Sequence, residues 1–409
     1  MVRCVFVLAL LYAAGSECVL AQDAARDAET IQKLIARVEA LEREVAALKA
    51  GAATTVPAQP AAAAVPPKQD LAPVPEAPPP EPEPEPRFTF HGYADVGFLR
   101  NEDGASDKRF NLGEVDLFAT ARISPRLNVL LETVIETDNQ LAVASVPVNV
   151  ERLLLQYRQN DYFNLDIGSY RTAIGYYNTL LRGSWLETAL TRPKLFTFED
   201  EGGFLPLHNV GLSANGKIPS GDLGLHYVFE VGSSRNYAQP GRTGLVFEQN
   251  GATNLALFAR PHVVPGLQVG FSTYHDRFSP LPGANLSRSV WTAHAVYQAH
   301  RFEFLNEGVL ARFNEGGLGN ANIPGFYSQL AYRASSSLTP YFRYDYANLY
   351  GTGQVGEFAP QYVPWHTVIS GGLRYDLSES VALKFELGRE TDRTQAAFIR
   401  AALQIAFTF

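Results

Sequence analysis

The chain has 409 residues, a formal net charge of −8 and two cysteines, Cys4 and Cys18. Both cysteines lie in an N-terminal segment that is predicted to be removed, which excludes a disulfide framework and a cysteine-ligated metal site from the rest of the chain. The net charge is −5 over residues 1–86 and −3 over residues 87–409, and this near balance gives no indication of a nucleic-acid partner.

Residues 1–21 are predicted to be a secretory signal peptide. Arg3 supplies a positive start, residues 5–14 are apolar, and residues 19–21 form a small-residue cleavage site before Gln22. The apolar run is shorter than the about 20 residues that a membrane anchor requires. We therefore expect export. Glu17 directly precedes Cys18, which argues against lipidation of this cysteine.

Residues 22–50 are predicted to be a periplasmic coiled-coil segment. The flanking pairs Arg37 with Glu42 and Glu44 with Lys49 are attractive between parallel helices. The seam residues favour a coiled-coil dimer, whereas Ile35 at position e favours a trimer. The alternative to a coiled coil is one amphipathic helix that lies on another surface. The seam, with β-branched residues at a and leucine at d, consists of Ile31, Leu34, Val38, Leu41, Val45 and Leu48.

Residues 51–86 form a linker that is rich in proline, alanine and glutamate and holds 12 of the 26 prolines. Such a segment cannot bury a core and is expected to adopt extended polyproline II structure. At about 3.1 Å per residue its reach approaches roughly 110 Å. We expect it to be a periplasmic spacer.

Residues 87–409 are predicted to be an all-β domain, a 16-stranded antiparallel transmembrane β-barrel. Apolar and aromatic residues alternate with charged residues, amides and glycine, which is typical of strands with lipid outside and water inside. The strands are predicted to start near Phe88, Phe110, Leu127, Asn149, Tyr162, Asn209, Leu223, Gly251, Leu267, Ser289, Phe302, Gly325, Leu338, Trp365, Val381 and Ala396.

The connections between these strands alternate in length, as in bacterial barrels. Short ones are predicted at 124–126, 159–161, 219–222 and 378–380, and long ones at 100–109, 138–148, 176–208, 233–250, 276–288, 312–324 and 347–364. A soluble β-sandwich or propeller would explain the alternating side chains but not the alternating turn lengths. The even strand number returns the C-terminus to the periplasmic rim.

The chain resembles the phosphate-selective porin O/P-like family, including DcaP-type porins. The resemblance rests on the signal peptide, coiled coil, proline-rich spacer and sixteen strands, and on residues 340–345 (PYFRYD), 373–376 (LRYD) and 405–409 (IAFTF). It implies a homotrimer of barrels, each with its own pore, that takes up small anionic solutes. Phosphate-selective members resemble basic funnels, whereas this barrel is slightly acidic, which argues against phosphate selectivity.

The connection 176–208 is the candidate pore constriction, because the third loop narrows the lumen in the porins that this chain resembles. Its many bulky residues predict packing inside the barrel, and opposed charges across a constriction would set ion preference. The alternative is that these charges pair with the wall and fix the loop. The candidate residues are Arg182, Glu187, Arg192, Lys194, Glu199, Asp200 and Glu201.

Basic residues also recur at lumen parity near the periplasmic ends of the strands. A cationic ring at this mouth would raise the local anion concentration, although long basic side chains also favour membrane interfaces for a purely structural reason. The lumen-lining basic residues are predicted to be Arg122, Arg158, Lys217, Arg260, Arg333, Arg343 and Arg374.

The sequence shows no catalytic constellation, metal-ligand cluster or cofactor motif. The first hypothesis is therefore an outer-membrane diffusion porin for small hydrophilic solutes, with a mild preference for carboxylate or phosphate anions and with lipid, solutes and its own copies as partners. The second is a structural protein that tethers the outer membrane to peptidoglycan through its periplasmic N-terminal segment. The third, a barrel hydrolase, needs a nucleophile beside a histidine that the sequence does not show.

Overall fold

The computed structural model describes residues 87–101, 109–135, 148–180, 183–197, 203–235, 247–278, 286–315, 319–348, 350–351, 365–392 and 396–409. The predicted signal peptide, coiled-coil seam and linker lie outside the described residues. No helix in these ranges is long and apolar enough to cross a membrane.

The described residues are almost entirely β-strand, with one helical turn, α1 (Tyr177–Leu180), and two 3-10 turns, Lys194–Phe196 and Gly221–Leu223. The strands are β1 (Phe88–Asn101), β2 (Arg109–Ser124), β3 (Leu127–Ile135), β4 (Val148–Asn160), β5 (Phe163–Arg171), β6 (His208–Ile218), β7 (Leu225–Arg235), β8 (Phe247–Ala259), β9 (Leu267–Phe278), β10 (Leu286–Ala299), β11 (Phe302–Glu315), β12 (Gly319–Tyr332), β13 (Leu338–Ala347), β14 (Tyr350–Gly351), β15 (Trp365–Asp376), β16 (Val381–Asp392) and β17 (Phe398–Thr408).

The sheet closes on itself. Strands that follow one another pair antiparallel, β1 pairs with both β2 and β17, and β13 pairs with β15. The two residues of β14 pair with Ala321 and Asn322, near the start of β12. The predicted closed barrel of sixteen antiparallel strands is therefore confirmed, with β14 as a short addition. Closure gives each of the sixteen long strands a partner on both sides, which satisfies backbone N–H and C=O groups of the described strands.

The predicted loop at 312–324 is wrong. β11 continues to Glu315 and β12 begins at Gly319, so most of this range is strand. Pro324, which cannot donate a ladder hydrogen bond, lies inside β12. In the structure, Pro324 lies where the partner of β12 changes from β13 to β14, so a missing N–H is tolerated there.

The two faces of the wall differ in the way that the period-two pattern predicts. Large apolar side chains are exposed on the outside, for example Phe90, Leu153 and Phe229. Charged side chains such as Arg343 and Lys384 point inward and are almost fully buried. An apolar exterior with a buried charged interior is the reverse of a soluble protein and is the arrangement of a barrel in lipid.

The two ends of the barrel also differ. One end, the short-turn rim, carries the connections 125–126, 161–162, 219–224, 260–266, 300–301, 333–337 and 377–380, and the first strand begins and the chain ends there. At this rim the N–H of Gly92 donates to the carbonyl of Phe409 at 2.9 Å, and the N–H of Phe409 donates back at 3.1 Å. The opposite end, the long-loop rim, includes the connection 172–207.

Candidate functional site: a loop inside the barrel

The described parts of the connection 172–207, which are residues 172–180, 183–197 and 203–207 and are together called the inner loop below, lie inside the barrel. Leu195, Phe196, Phe204 and Leu205 of the loop are at most 2% exposed. They share one apolar cluster with inward side chains of β9 to β13, for example Ile323 on β12. Burial of large apolar side chains contributes about 1.5–3 kcal/mol each, so packing against the wall strongly favours the docked loop. The expectation that the bulky residues pack inside the barrel agrees with this geometry.

The first part of the inner loop is held by carboxylates of the wall. The backbone N–H of Ala173 donates to Glu230 on β7 at 3.0 Å. The N–H groups of Tyr176 and Tyr177 donate to Glu307 on β11 at 2.5 and 2.9 Å. A loop with little regular structure leaves its backbone donors without internal partners, and here carboxylates from two strands accept them.

The later part of the inner loop is held by cations of the wall. Arg374 on β15 donates to the carbonyl oxygens of Trp185 and Glu187 at 2.7 and 3.0 Å. Lys384 on β16 donates to the carbonyls of Ser184 and Ala189. Arg343 on β13 and Arg288 on β10 donate in the same way to the carbonyls of Thr191 and Phe204. The wall thus offers acceptors to loop amides and donors to loop carbonyls.

Sequence reasoning missed Glu230, Glu307 and Lys384 as residues that bind the inner loop. All three stand at inward positions well inside their strands, where a charge without a partner would be costly. The signal available in the sequence was their mid-strand position on the inward face, because a charge there must meet either water or a protein partner. The sequence could not show which loop supplies the partner.

The inner loop extends far towards the short-turn rim. The hydroxyl of Thr188 donates to Glu303, the second residue of β11, at 3.1 Å. The hydroxyl of Tyr176 donates to Gln298, the penultimate residue of β10, at 2.6 Å. The part of the loop around Tyr176 and Thr188 therefore lies near the short-turn rim.

Of the predicted constriction residues, the structure describes Glu187, Arg192 and Lys194, whereas Arg182, Glu199, Asp200 and Glu201 lie outside the described residues. Arg192 pairs with Glu114 on β2 at 2.6 Å, and Lys194 pairs with Glu390 on β16 at 3.1 Å.

Glu187 accepts a hydrogen bond from the Tyr177 hydroxyl. Burial raises the pKa of the Glu187 carboxyl above its ordinary value, and it raises the pKa of the Tyr177 hydroxyl as well. For Arg192 and Lys194 the geometry favours the alternative, in which loop charges pair with the wall.

The wall opposite the docked loop carries two partly exposed arginines. β4 lies halfway round the ring from β12, and its exposed outer residues Leu153 and Leu155 place Arg152 and Arg158 on the inner face. The Arg152 side chain is 22% exposed and shares the Glu132 carboxylate with Arg171, and that of Arg158 is 35% exposed and pairs with Asp166 at 2.6 Å. Both arginines are therefore partly exposed on the inner face of β4, each in an ion pair with a carboxylate of a neighbouring strand.

The predicted lumen-lining basic residues fall into two groups. Arg343 and Arg374 lie under the inner loop, so Arg343 does not meet the lumen water. The others lie at the short-turn rim. There Lys217 pairs with Asp161 at 2.6 Å, and the Arg260 guanidinium donates to the side-chain oxygen of Gln268 on β9 at 2.8 Å. The rim residues are Arg122, Arg158, Lys217, Arg260 and Arg333.

In the part of the chain that the structure describes, no group of three or more histidine, aspartate or glutamate side chains is arranged to hold a metal ion. The charged side chains of the interior instead bind the inner loop or one another, as the contacts of Glu307, Arg343 and Lys384 show.

Comparison with solved structures shows the fold. The chain is similar to an anion-selective porin from Comamonas acidovorans, at 13% identity over 79% of this chain and 99% of that chain, with a TM-score of 0.55. It is also similar to the outer membrane channel DcaP of Acinetobacter baumannii, at 8% identity over 79% of this chain and 97% of that one, with a TM-score of 0.52.

A third similar structure is the trimer form of OmpT, an outer membrane protein of Vibrio cholerae, at 12% identity over 79% of this chain and 99% of that chain, with a TM-score of 0.51. No family model and no curated protein sequence matches the chain. At these identities the comparisons define the class of fold, which is the closed sixteen-stranded barrel of the porins.

Proposed function

We propose that this protein is an outer-membrane porin through which small hydrophilic solutes diffuse. The observation that carries the proposal is the docked inner loop: a loop held inside a closed barrel by charged residues of the wall narrows a passage without requiring any moving part. The apolar exterior supports a location in lipid, because a soluble protein would not expose residues such as Phe90, Leu153 and Phe229 around its whole circumference. A channel with this wall performs transport and no chemical reaction.

Arg152 and Arg158 support a mild preference for anions. Their side chains are partly exposed on the inner face of β4, at 22% for Arg152 and 35% for Arg158. Charges at a narrow, water-filled constriction set ion preference. The anion selectivity named for the Comamonas acidovorans porin and the resemblance to DcaP-type porins agree with this proposal.

We also propose that the protein assembles as a homotrimer with its N-terminal segment in the periplasm. The OmpT structure of Vibrio cholerae is described as a trimer form, and the heptad seam at 31–48 would bring copies together. The tether hypothesis assigns residues 22–86 to peptidoglycan. Deleting residues 23–86 separates the two roles, because a porin keeps its conductance after this deletion whereas a tether loses envelope integrity.

Single-channel recording in planar bilayers tests the proposed function. Purified protein is expected to insert as stable steps of conductance, and the reversal potential in a KCl gradient is expected to have the sign of mild anion selectivity. The Arg158→Gln variant should move this potential towards cation selectivity. Folded protein that gives no conductance steps would refute the porin, and a cation-selective wild type would refute the anion preference alone.

A further inference from the structure

A recess of about 490 Å³ opens at the short-turn rim against the inner wall formed by β4 to β8. Ligand pockets for small molecules have volumes of roughly 300–1,000 Å³, so the recess has the size of a small solute. Its lining combines the ion pair of Lys217 with Asp161, the side chain of Arg158, amide side chains and a pair of stacked rings. Residues from five neighbouring strands and one turn contribute.

The charges of the recess are closed in pairs. The Arg158 guanidinium lies 2.6 Å from the Asp166 carboxylate, and the Lys217 ammonium lies 2.6 Å from Asp161 in the turn 161–162. The hydrogen bond from Lys217 lowers the pKa of Asp161 and keeps it ionised. An ionic ligand would have to separate one of these pairs. A ligand with hydroxyl groups would not, because a paired guanidinium or carboxylate still has further hydrogen-bonding positions.

Amide side chains add donors and acceptors of the same kind. Asn164 on β5 donates to the carbonyl oxygen of Asn215 on β6 at 3.5 Å, and the side chain of Asn215 donates to Asp166 at 3.4 Å. Each amide carries two N–H donors and an acceptor oxygen. Asn164 and Asn215 line the recess together with Lys217. Hydroxyl groups, which both donate and accept, complement such a lining better than a group that only accepts.

A flat ring surface completes the recess. The rings of His226 and Phe258 stack with centroids 5.1 Å apart and planes 2° apart. The Arg260 guanidinium lies 5.1 Å from the centroid of the Phe258 ring. The Nδ1–H of His226 donates to the carbonyl oxygen of Gly224 at 3.0 Å, which fixes the ring. An aromatic surface beside polar groups fits a solute with an apolar C–H face and a polar edge.

We propose that this recess is a binding site for an uncharged polyhydroxylated solute of the size of a mono- or disaccharide. The solute's hydroxyl groups bind Asn164, Asn215 and the charged groups of Arg158, Lys217 and Asp161, and its C–H groups contact the stacked pair of His226 and Phe258, both of which line the recess. This inference rests on the proposed porin function, since it names a class of solute that the pore would take up or release at the short-turn rim.

The test uses maltose as the probe, with glycine and sodium acetate as a zwitterion and an anion for comparison. In planar bilayers, maltose is expected to cause interruptions of the single-channel current whose frequency rises with its concentration. The Phe258→Ala and Asn215→Ala variants each remove one element of the recess and should shorten the interruptions at least about fivefold, the effect of losing one net hydrogen bond or ring contact. The control is Asn128→Ala, an inward asparagine near the same rim on β3.

Saturation-transfer NMR of the folded protein in detergent micelles gives a second readout that does not need conduction. Maltose resonances should gain signal from wild type and from Asn128→Ala, and lose most of it in Phe258→Ala. A conducting channel that shows neither interruptions nor transfer with maltose overturns the binding site while the porin stands. Interruptions by glycine or acetate but not by maltose also overturn it. Saturation transfer to maltose without any channel conductance would support the binding site and refute the proposed porin function.

Discussion

Replacing Glu307 by alanine should release the inner loop from the wall. The carboxylate of Glu307 accepts the backbone N–H groups of Tyr176 and Tyr177 at 2.5 and 2.9 Å and the hydroxyl of Tyr327 at 2.5 Å. All of these groups are buried. In the Glu307→Ala variant three buried donors lose their acceptor while the rest of the barrel keeps its backbone ladder.

The size of the effect follows from the three lost bonds. A buried donor left without a partner costs about 1–3 kcal/mol, and water that enters around the shortened side chain recovers part of this. The docking free energy of the inner loop should therefore fall by about 3–6 kcal/mol. Since 1.4 kcal/mol corresponds to a factor of ten, the undocked fraction should rise at least about 100-fold.

Limited trypsin digestion of the folded protein in detergent measures this fraction. Cleavage after Lys194 requires the loop to leave the wall, because Leu195 and Phe196 are buried in the docked state. When opening and closing are faster than cleavage, the cleavage rate follows the open population. Glu307→Ala should be cut at least about 100-fold faster than wild type, and Glu307→Gln, which keeps an acceptor oxygen, should fall between them.

The matched control is Glu379→Ala, which removes an exposed carboxylate in the short turn 377–380. It should be cut at the wild-type rate. If Glu307→Ala and Glu379→Ala were cut at rates within twofold of each other, the carboxylate would not hold the loop. The account of how the wall positions the constriction would then be wrong.

Other variants test the wall itself. Arg343→Met removes the guanidinium that pairs with the buried carboxylate of Asp345 and should lower the free energy of unfolding by about 3–5 kcal/mol. The urea midpoint of unfolding should fall accordingly, and an unchanged midpoint would contradict this expectation. Phe229→Arg should cost about 2–4 kcal/mol on folding into lipid vesicles, and its inward neighbour Val228→Arg should cost less. Arg152→Gln should shift the KCl reversal potential towards cation selectivity, and an unshifted potential would remove Arg152 from the selectivity argument.

The sequence predicted most of the wall because the two faces of each strand meet different solvents. All sixteen long strands appear in the predicted order, and the starts at Phe88, Leu127, Leu267, Phe302 and Leu338 are those of the structure. The largest discrepancy among the strand starts is at β12, which begins at Gly319 and not near Gly325. Only the pairing of β12 with two successive partners explains why the strand continues, and pairing is not visible in one sequence.

The site was predicted in outline and not in its contacts. Bulky residues such as Phe196 and Phe204 correctly placed the inner loop inside the barrel, because only burial can satisfy so many of them. The roles of individual charges depended on the third dimension. Arg374 and Lys217 are both inward-facing basic residues near the ends of their strands in the sequence. In the structure, Arg374 binds carbonyl oxygens of the inner loop, whereas Lys217 pairs with Asp161 at the short-turn rim.

Thiol accessibility along β7 tests most directly whether one face of the wall meets water and the other meets lipid. The protein has no cysteine beyond Cys18, so single cysteines can be placed at His226, Tyr227, Val228 and Phe229 and the barrels reconstituted in vesicles. A charged, water-soluble thiol reagent should modify the cysteines at 226 and 228 rapidly and those at 227 and 229 slowly. Equal modification at all four positions would contradict a closed barrel with an aqueous interior and a lipid-facing exterior.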